Sequence, residues 1–215
     1  MFRTSCTRIN SESGPPSDSV QVERGRPAWF MEEVNYMERA GIITMKGKPL
    51  TLVGADVKIG DKAPNFTVLD SSLSEVSLRD FSGKTKIISV TPSLDTRVCD
   101  LQLRRFNHEA ATLPQDVVVL NISMDLPFAI ERFCTTAEID RAKALSDHRD
   151  ASFGNAYGVL IKELRLLARS IFIIDSDNIV RYKEIVTEQS NHPDYDKALS
   201  TLSVITGSEA KAKAA

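Results

Sequence analysis

Apolar and polar positions along the chain switch repeatedly between strand-like alternation and helix-like steps. IITMKGKPLTLVG (42–54) holds two β-like runs around Gly47-Lys48-Pro49, which predicts a hairpin. NFTVLD and EVSL alternate as short strands, and DFSGK reads as a turn. KIISV (86–90) is a continuous apolar run, the pattern of a central strand covered on both faces. A helix is predicted to about Leu113, then the strand DVVVLNISM and a second helix from about Pro127. KALSD predicts a further short strand, and Ser152–Tyr157 a helical turn. SIFIID and IVRYKEIV follow as strands separated by the turn-forming SDN, with a last helix from near Pro193. Alternating strands and helices closed by a late hairpin predict an α/β sandwich on a mixed sheet, without internal repeats.

Residues 1–36 are rich in Ser, Pro, Glu and Arg and keep no period, so they read as a disordered extension. The codons open to Glu32-Glu33-Val34, in MEEVNYM, include GAG GAG GTN, a purine-rich ribosome-binding sequence just upstream of Met37. Translation is therefore expected to start at Met37. The domain is expected over 37–206, and GSEAKAKAA (207–215) as a flexible tail.

Composition narrows the function classes. The 215 residues are 42% hydrophobic and 26% charged, as in an ordinary soluble protein. A net charge of −2 supplies no field to hold a nucleic-acid backbone or an anionic membrane. The longest apolar clusters, LLARSIFII and KIISV, are too short to cross a bilayer, and the first thirty residues lack a signal-peptide core. Three cysteines, at 6, 99 and 134, make neither a disulfide framework nor a zinc pattern, so a reducing cytoplasm is the expected location. Nothing near Cys6 would activate a thiol.

Cys99 lies in PSLDTRVC, where a strand gives way to a helix. Cys99, Leu103, Phe106, Ala110 and Leu113 mark one apolar helix face, so Cys99 is expected in its first turn, on the buried side. Thr96 is placed to cap that helix, and Pro92 to keep the connection extended. First-turn amides have no intrahelical acceptors and, with the helix dipole, favour an anion such as a thiolate. On these two residues alone, a small buried thiol behind a helix cap explains the pattern equally well.

Cys134 ends MDLPFAIERFC, on a helix with Asp125 as expected N-cap and Pro127 in the first turn. A bond from Cys99 to Cys134 would close a loop of about 35 residues, worth roughly 3–4 kcal/mol in denatured-state entropy. Local unwinding to bring the sulfurs together would offset much of that and leave a labile bond; two unrelated buried thiols are the alternative. Arg169, in ELRLLARSIFIID, is expected at a sheet end, where its guanidinium either faces a thiolate and a polar substrate oxygen or points to solvent. Arg165, one turn away if that stretch is helical, competes for the role. His108, His148 and His192 have polar neighbours and read as surface residues, with no Cys-His pair.

From about Met37 to Leu202 the chain resembles the bacterial thiol peroxidases, the atypical two-cysteine branch of the peroxiredoxins. The strings that carry the resemblance are GKPLTLVG, GDKAPNFTVLD, PSLDTRVC, SMDLPFAIERFC, LSDHRDASFGNAYGVLIKELRLLARSIFIID and NHPDYDKAL, in the family's order. The resemblance implies a thioredoxin fold with a central mixed sheet flanked by helices and an N-terminal hairpin. It implies a hydroperoxide substrate, Cys99 as peroxidatic cysteine and Cys134 as the resolving one in the same subunit. Thr96 and Arg169 become polar partners of the peroxide, and Pro92 the residue that shields the pocket. It further implies a homodimer recycled by thioredoxin, with no metal or haem. Arg97 stands where relatives often carry proline or glycine, and Thr135 where glycine commonly follows the resolving cysteine. A thioredoxin-like disulfide reductase is the rival reading, but it would want a second cysteine where Thr96 stands. A non-enzymatic holdase on the same scaffold is the rival from another class.

Overall fold

The computed structural model describes residues 37–207, so the expectations for 1–36 and for the tail beyond Gly207 lie outside the described residues. The chain enters as a hairpin of β1 (Glu38–Met45) and β2 (Lys48–Val53). Its turn is Lys46-Gly47, one residue earlier than the sequence suggests, because both adopt positive φ (51° and 75°). That pair matches the twist of the flanking strands, which frees Lys48 and Pro49 to begin β2. Next come β3 (Thr67–Leu69), β4 (Glu75–Ser77), β5 (Thr85–Val90), α1 (Arg97–Glu109), β6 (Val117–Ser123) and α2 (Pro127–Ala137). The chain ends with β7 (Lys143–Ser146), α3 (Ser152–Tyr157), β8 (Leu160–Ile161), β9 (Leu166–Leu167), β10 (Ser170–Ile174), β11 (Val180–Ile185) and α4 (Tyr195–Thr206).

Among the described residues the strands form two sheets. One runs β1-β2-β8-β9; the other runs β11-β10-β5-β6-β7-β3-β4. In the larger sheet β5, β6 and β7 are parallel, while β10 and β3 pair antiparallel to their neighbours, as expected of a mixed sheet. The two-residue strands β8 and β9 are too short for a periodic signal, and they place Arg165 in a hairpin turn at φ 49° rather than on a helix.

Two cores explain the unbroken apolar runs. Ile87, Ile171 and Ile173 point toward α1, α2 and α4, and pack with Leu103, Phe106, Ile130 and Leu202. Their alternating partners Ile88, Val90, Phe172 and Ile174 point the other way, toward the hairpin and α3. There Phe153 stacks on Tyr157 at 4.4 Å and meets Phe66 edge-on at 5.3 Å, contacts worth ~0.5–1.5 kcal/mol each beyond area burial. Lys86 precedes the apolar residues of β5. Its buried ammonium donates to Asp175 O (3.1 Å) and Asn178 Oδ1 (2.7 Å), and burial pushes its pKa down.

Candidate active site

Strand register sets the site. Val90 pairs with Ile122 across the parallel β5–β6 ladder and with Ser170 across the antiparallel β10 ladder. The carboxyl ends of β5 and β6 and the start of β10 therefore share one edge. Open α/β sheets gather ligands at such an edge. The loop after β5 carries Pro92 and leads into α1; the residue before β10 is Arg169.

Cys99 occupies the third position of α1 and is fully buried, on the face the apolar stripe predicts. Thr96 is the N-cap by position and extended geometry, but its side chain caps no backbone amide. Instead Oγ1 lies 2.8 Å from Cys99 Sγ and 3.1 Å from the Ser93 carbonyl. A hydroxyl has one proton to give. Facing a thiol, it can accept from S–H and donate to Ser93; facing a thiolate, it turns its proton to sulfur.

Arg169 completes the surround. It is only 2% exposed, and its Nη2 reaches Cys99 Sγ at 3.4 Å. Nη1 donates to Gln102 Oε1 at 2.8 Å and Nε to the Gln189 carbonyl at 3.2 Å. No carboxylate among the described residues forms an ion pair with it. A buried guanidinium with neutral acceptors can stabilise negative charge that develops beside it, and Cys99 Sγ lies within its reach. Arg165, by contrast, is exposed.

The arginine is held on two sides. Gln102, also fully buried, donates its own amide to Ser89 Oγ (2.9 Å) and Val90 O (3.3 Å). Gln189 Oε1 accepts from the Arg169 amide, while the Gln189 amide donates to Thr44 O in β1. The adjacent Glu188 accepts from Thr44 Oγ1 and from the Lys46 and Gly47 amides, so the N-terminal hairpin buttresses the loop holding Arg169. The Ser190 hydroxyl, followed by those two amides, holds the Glu188 carboxyl well below the usual range.

Pro92 is buried in the loop leading to α1, whereas Arg97 is exposed. Asp125 departs from expectation. Leu126 is the N-cap position of α2, and the Asp125 carboxylate turns away from that helix to accept from Ser93 Oγ, the Leu94 amide and Ser123 Oγ. Those donors, fixed by the neighbouring loop, out-compete the α2 amides. His108 and His192 are exposed as expected; His148 is half-buried, with Nδ1 2.8 Å from Ser146 Oγ.

Cys134 lies in the last turn of α2 and is half-buried; like Cys99 it forms no disulfide. It lines a groove of about 600 Å³ with Ile130, Thr135, Ile139 and Leu145, from which Cys99 is absent. Burial pushes the Cys134 thiol up from its ordinary pKa. Thr135 is exposed within the helix, which ends where Glu138 turns left-handed at φ 54°. The fold thus gathers Thr96, Arg169 and Cys99 at one point, while Cys134 lines a groove that does not include Cys99.

Sequence reasoning missed Gln102, Gln189, Ser93 and the true partners of Asp125. Gln102 left a signal: a polar residue three positions after Cys99 on the inward face of a helix. Gln189 left none, since its loop is polar throughout.

A family model described as Redoxin matches residues 58–199. The protein named Thiol peroxidase from Halalkalibacterium halodurans is 60% identical over 157 residues, covering 73% of this chain and 94% of that one. The Bacillus subtilis protein of the same name is also 60% identical over 157 residues, covering 73% and 93%. Among solved structures, a peroxiredoxin-like protein from Aquifex aeolicus superposes with a TM-score of 0.72 at 36% identity, covering 79% of this chain and 98% of that one. Thiol peroxidase from Chromobacterium violaceum shares the fold, with a TM-score of 0.67 at 24% identity and coverage of 74% and 94%.

Proposed function

The chain belongs to the Redoxin family, has the thioredoxin fold of a peroxiredoxin and is a thiol-dependent peroxidase; we propose that Cys99 is its peroxide-reducing sulfur. The observation that carries this reading is one buried sulfur in the first turn of α1 with a hydroxyl at 2.8 Å and a guanidinium nitrogen at 3.4 Å.

In the proposed cycle the Cys99 thiolate attacks the nearer oxygen of a hydroperoxide. The O–O bond breaks, sulfur takes one oxygen to become a sulfenic acid, and the other leaves as hydroxide or alkoxide, which takes up a proton. Donors aimed at the oxygens before reaction lower the barrier without reorganising. Thr96 Oγ1, the free first-turn amides and Arg169 are placed to supply them, and buried Pro92 to exclude water. The sulfenic acid then condenses with the Cys134 thiol, releasing water and leaving an intrasubunit disulfide. A thioredoxin-type dithiol protein returns both sulfurs to thiols by exchange. The reading places the enzyme in the cytoplasm as a homodimer. Peroxidase-named relatives and Thr96 in the slot a second cysteine would need both speak against a disulfide reductase.

Two variants test it. Cys99→Ser should abolish peroxide consumption, and retained activity would remove the assignment. Cys134→Ser should react once with peroxide and then stop cycling with thioredoxin. Oxidised parent protein should show a Cys99–Cys134 bond within one chain by mass spectrometry.

A further inference from the structure

One carboxylate ties the loop leading into Cys99 to the junction leading toward Cys134. Asp125 stands half-buried between β6 and α2. Its Oδ1 accepts from Ser93 Oγ at 2.7 Å; its Oδ2 accepts from the Leu94 amide and from Ser123 Oγ, both at 2.8 Å. Its backbone carbonyl accepts from Ser146 Oγ at 2.5 Å, which pins the junction to β7. Ser93 carries the connection forward. Its carbonyl accepts from the Thr96 amide and hydroxyl, both at 3.1 Å, and that hydroxyl meets Cys99 Sγ. A path of hydrogen bonds thus runs from the entrance of α2 to the sulfur.

Disulfide formation gives this path a consequence. Cys99 is fully buried in α1, while Cys134 opens onto a groove that Cys99 does not reach. For the Cys99 sulfenic acid and the Cys134 thiol to form an S–S bond and release water, the sulfurs must approach to about 2 Å. Because Cys99 is fully buried in the first turn of α1, exposing its sulfur takes a shift of that turn, and the segment leading into it is the one Asp125 grips. Resting on the roles assigned above to Cys99 and Cys134, we propose that Asp125 is a positioning residue that latches the Ser93–Leu94 loop closed. It holds the peroxide-reactive arrangement and sets how often the loop opens for disulfide formation.

The latch acts differently on the two steps. Peroxide attack uses the closed loop, in which Thr96 and Arg169 face the sulfur; resolution uses the open one. A hydrogen bond to an ionised acceptor shifts an equilibrium by about tenfold or more. Leu94 is 3% exposed, so its amide depends on Asp125 while the loop is closed. Cutting the latch therefore raises the open population, and with it the rate of resolution, by roughly tenfold. Attack gains nothing. A carboxylate that merely stabilised the fold would, on removal, slow both steps together.

The test compares full-length parent, Asp125→Ala, Asp125→Asn and Ser93→Ala proteins, rapidly mixed with hydrogen peroxide, quenched by alkylation and read by mass analysis of the Cys99 peptide. Asp125→Ala should resolve its sulfenic acid roughly tenfold faster than parent, with no faster attack. It should also form proportionately less sulfinic acid per turnover at high peroxide. Ser93→Ala, which cuts one arm, and Asp125→Asn, which keeps one oxygen acceptor, should shift the same way by less. They decide the matter if Asp125→Ala does not fold. Resolution unchanged or slower in these variants would overturn the latch while leaving the peroxidase cycle standing. A parent that consumed no peroxide, or formed no Cys99–Cys134 bond, would instead remove the reading on which the latch rests.

Discussion

Replacing Thr96 by valine removes one hydroxyl and adds one methyl at nearly constant volume, on an exposed residue whose side chain caps nothing. What it loses is the 2.8 Å contact with Cys99 Sγ. A hydrogen bond to a charged partner is worth ~1.5–3 kcal/mol. The gain on forming it is smaller here, because the proton offered to the thiolate is withdrawn from the Ser93 carbonyl at 3.1 Å, a neutral bond worth ~1 kcal/mol. The Thr96 amide, which also donates to that carbonyl, cushions the loss. The difference, ~0.5–2 kcal/mol, converts to roughly 2–30-fold in the rate of peroxide attack. Single-turnover reaction with hydrogen peroxide in a Cys134→Ser background, read by mass analysis of the Cys99 peptide, keeps Cys6 out of the signal. Thr96→Ser, which restores the hydroxyl, should return the rate to near the parent's. A valine variant within twofold of parent would show that the hydroxyl serves only the Ser93 carbonyl, and the proton-switch reasoning would fall.

Arg169→Lys keeps the charge but cannot hold Gln102, Gln189 and the sulfur at once; peroxide attack should fall by ~10²–10³ with circular dichroism unchanged. Arg165→Lys, at an exposed turn, should leave that rate alone, and the reverse pattern would exchange their roles. Because burial raises the Cys134 thiol above its ordinary pKa and the thiolate is the attacking form, the resolution rate should keep rising with pH through and beyond the ordinary thiol range. Stopped-flow jumps to a pH series measure it; a plateau at or below the ordinary thiol pKa would mean that Cys134 is solvated before it reacts.

Much of the architecture was legible before any coordinate. The stripe Cys99, Leu103, Phe106 placed Cys99 inward at the start of α1, and the unbroken KIISV run placed β5 at the sheet centre. The mixed sheet and the N-terminal hairpin followed from the order and spacing of such blocks. Local chemistry misled where two partners competed for one group. Thr96 stands at the N-cap of α1 and Asp125 one residue before that of α2, and both are of capping type, yet each turns to another partner: Cys99 Sγ for the first, the Ser93–Leu94 loop for the second. Cap geometry depends on a few adjacent dihedrals, but which partner wins depends on what the fold brings within 3 Å.

By itself the sequence determined the periods, the breaks and the chemical types: which stretches bury a face, where helices begin, which thiols exist and which family they resemble. Only the tertiary structure decided that Arg169 rather than Arg165 meets the sulfur, that Gln102 and Gln189 hold it there, and that Asp125 joins the two cysteine-bearing segments. Periodicity arises from neighbours along the chain, a few residues apart. These contacts arise from strand order and register, which set the start of β10 beside the ends of β5 and β6 and so unite residues that no local pattern relates.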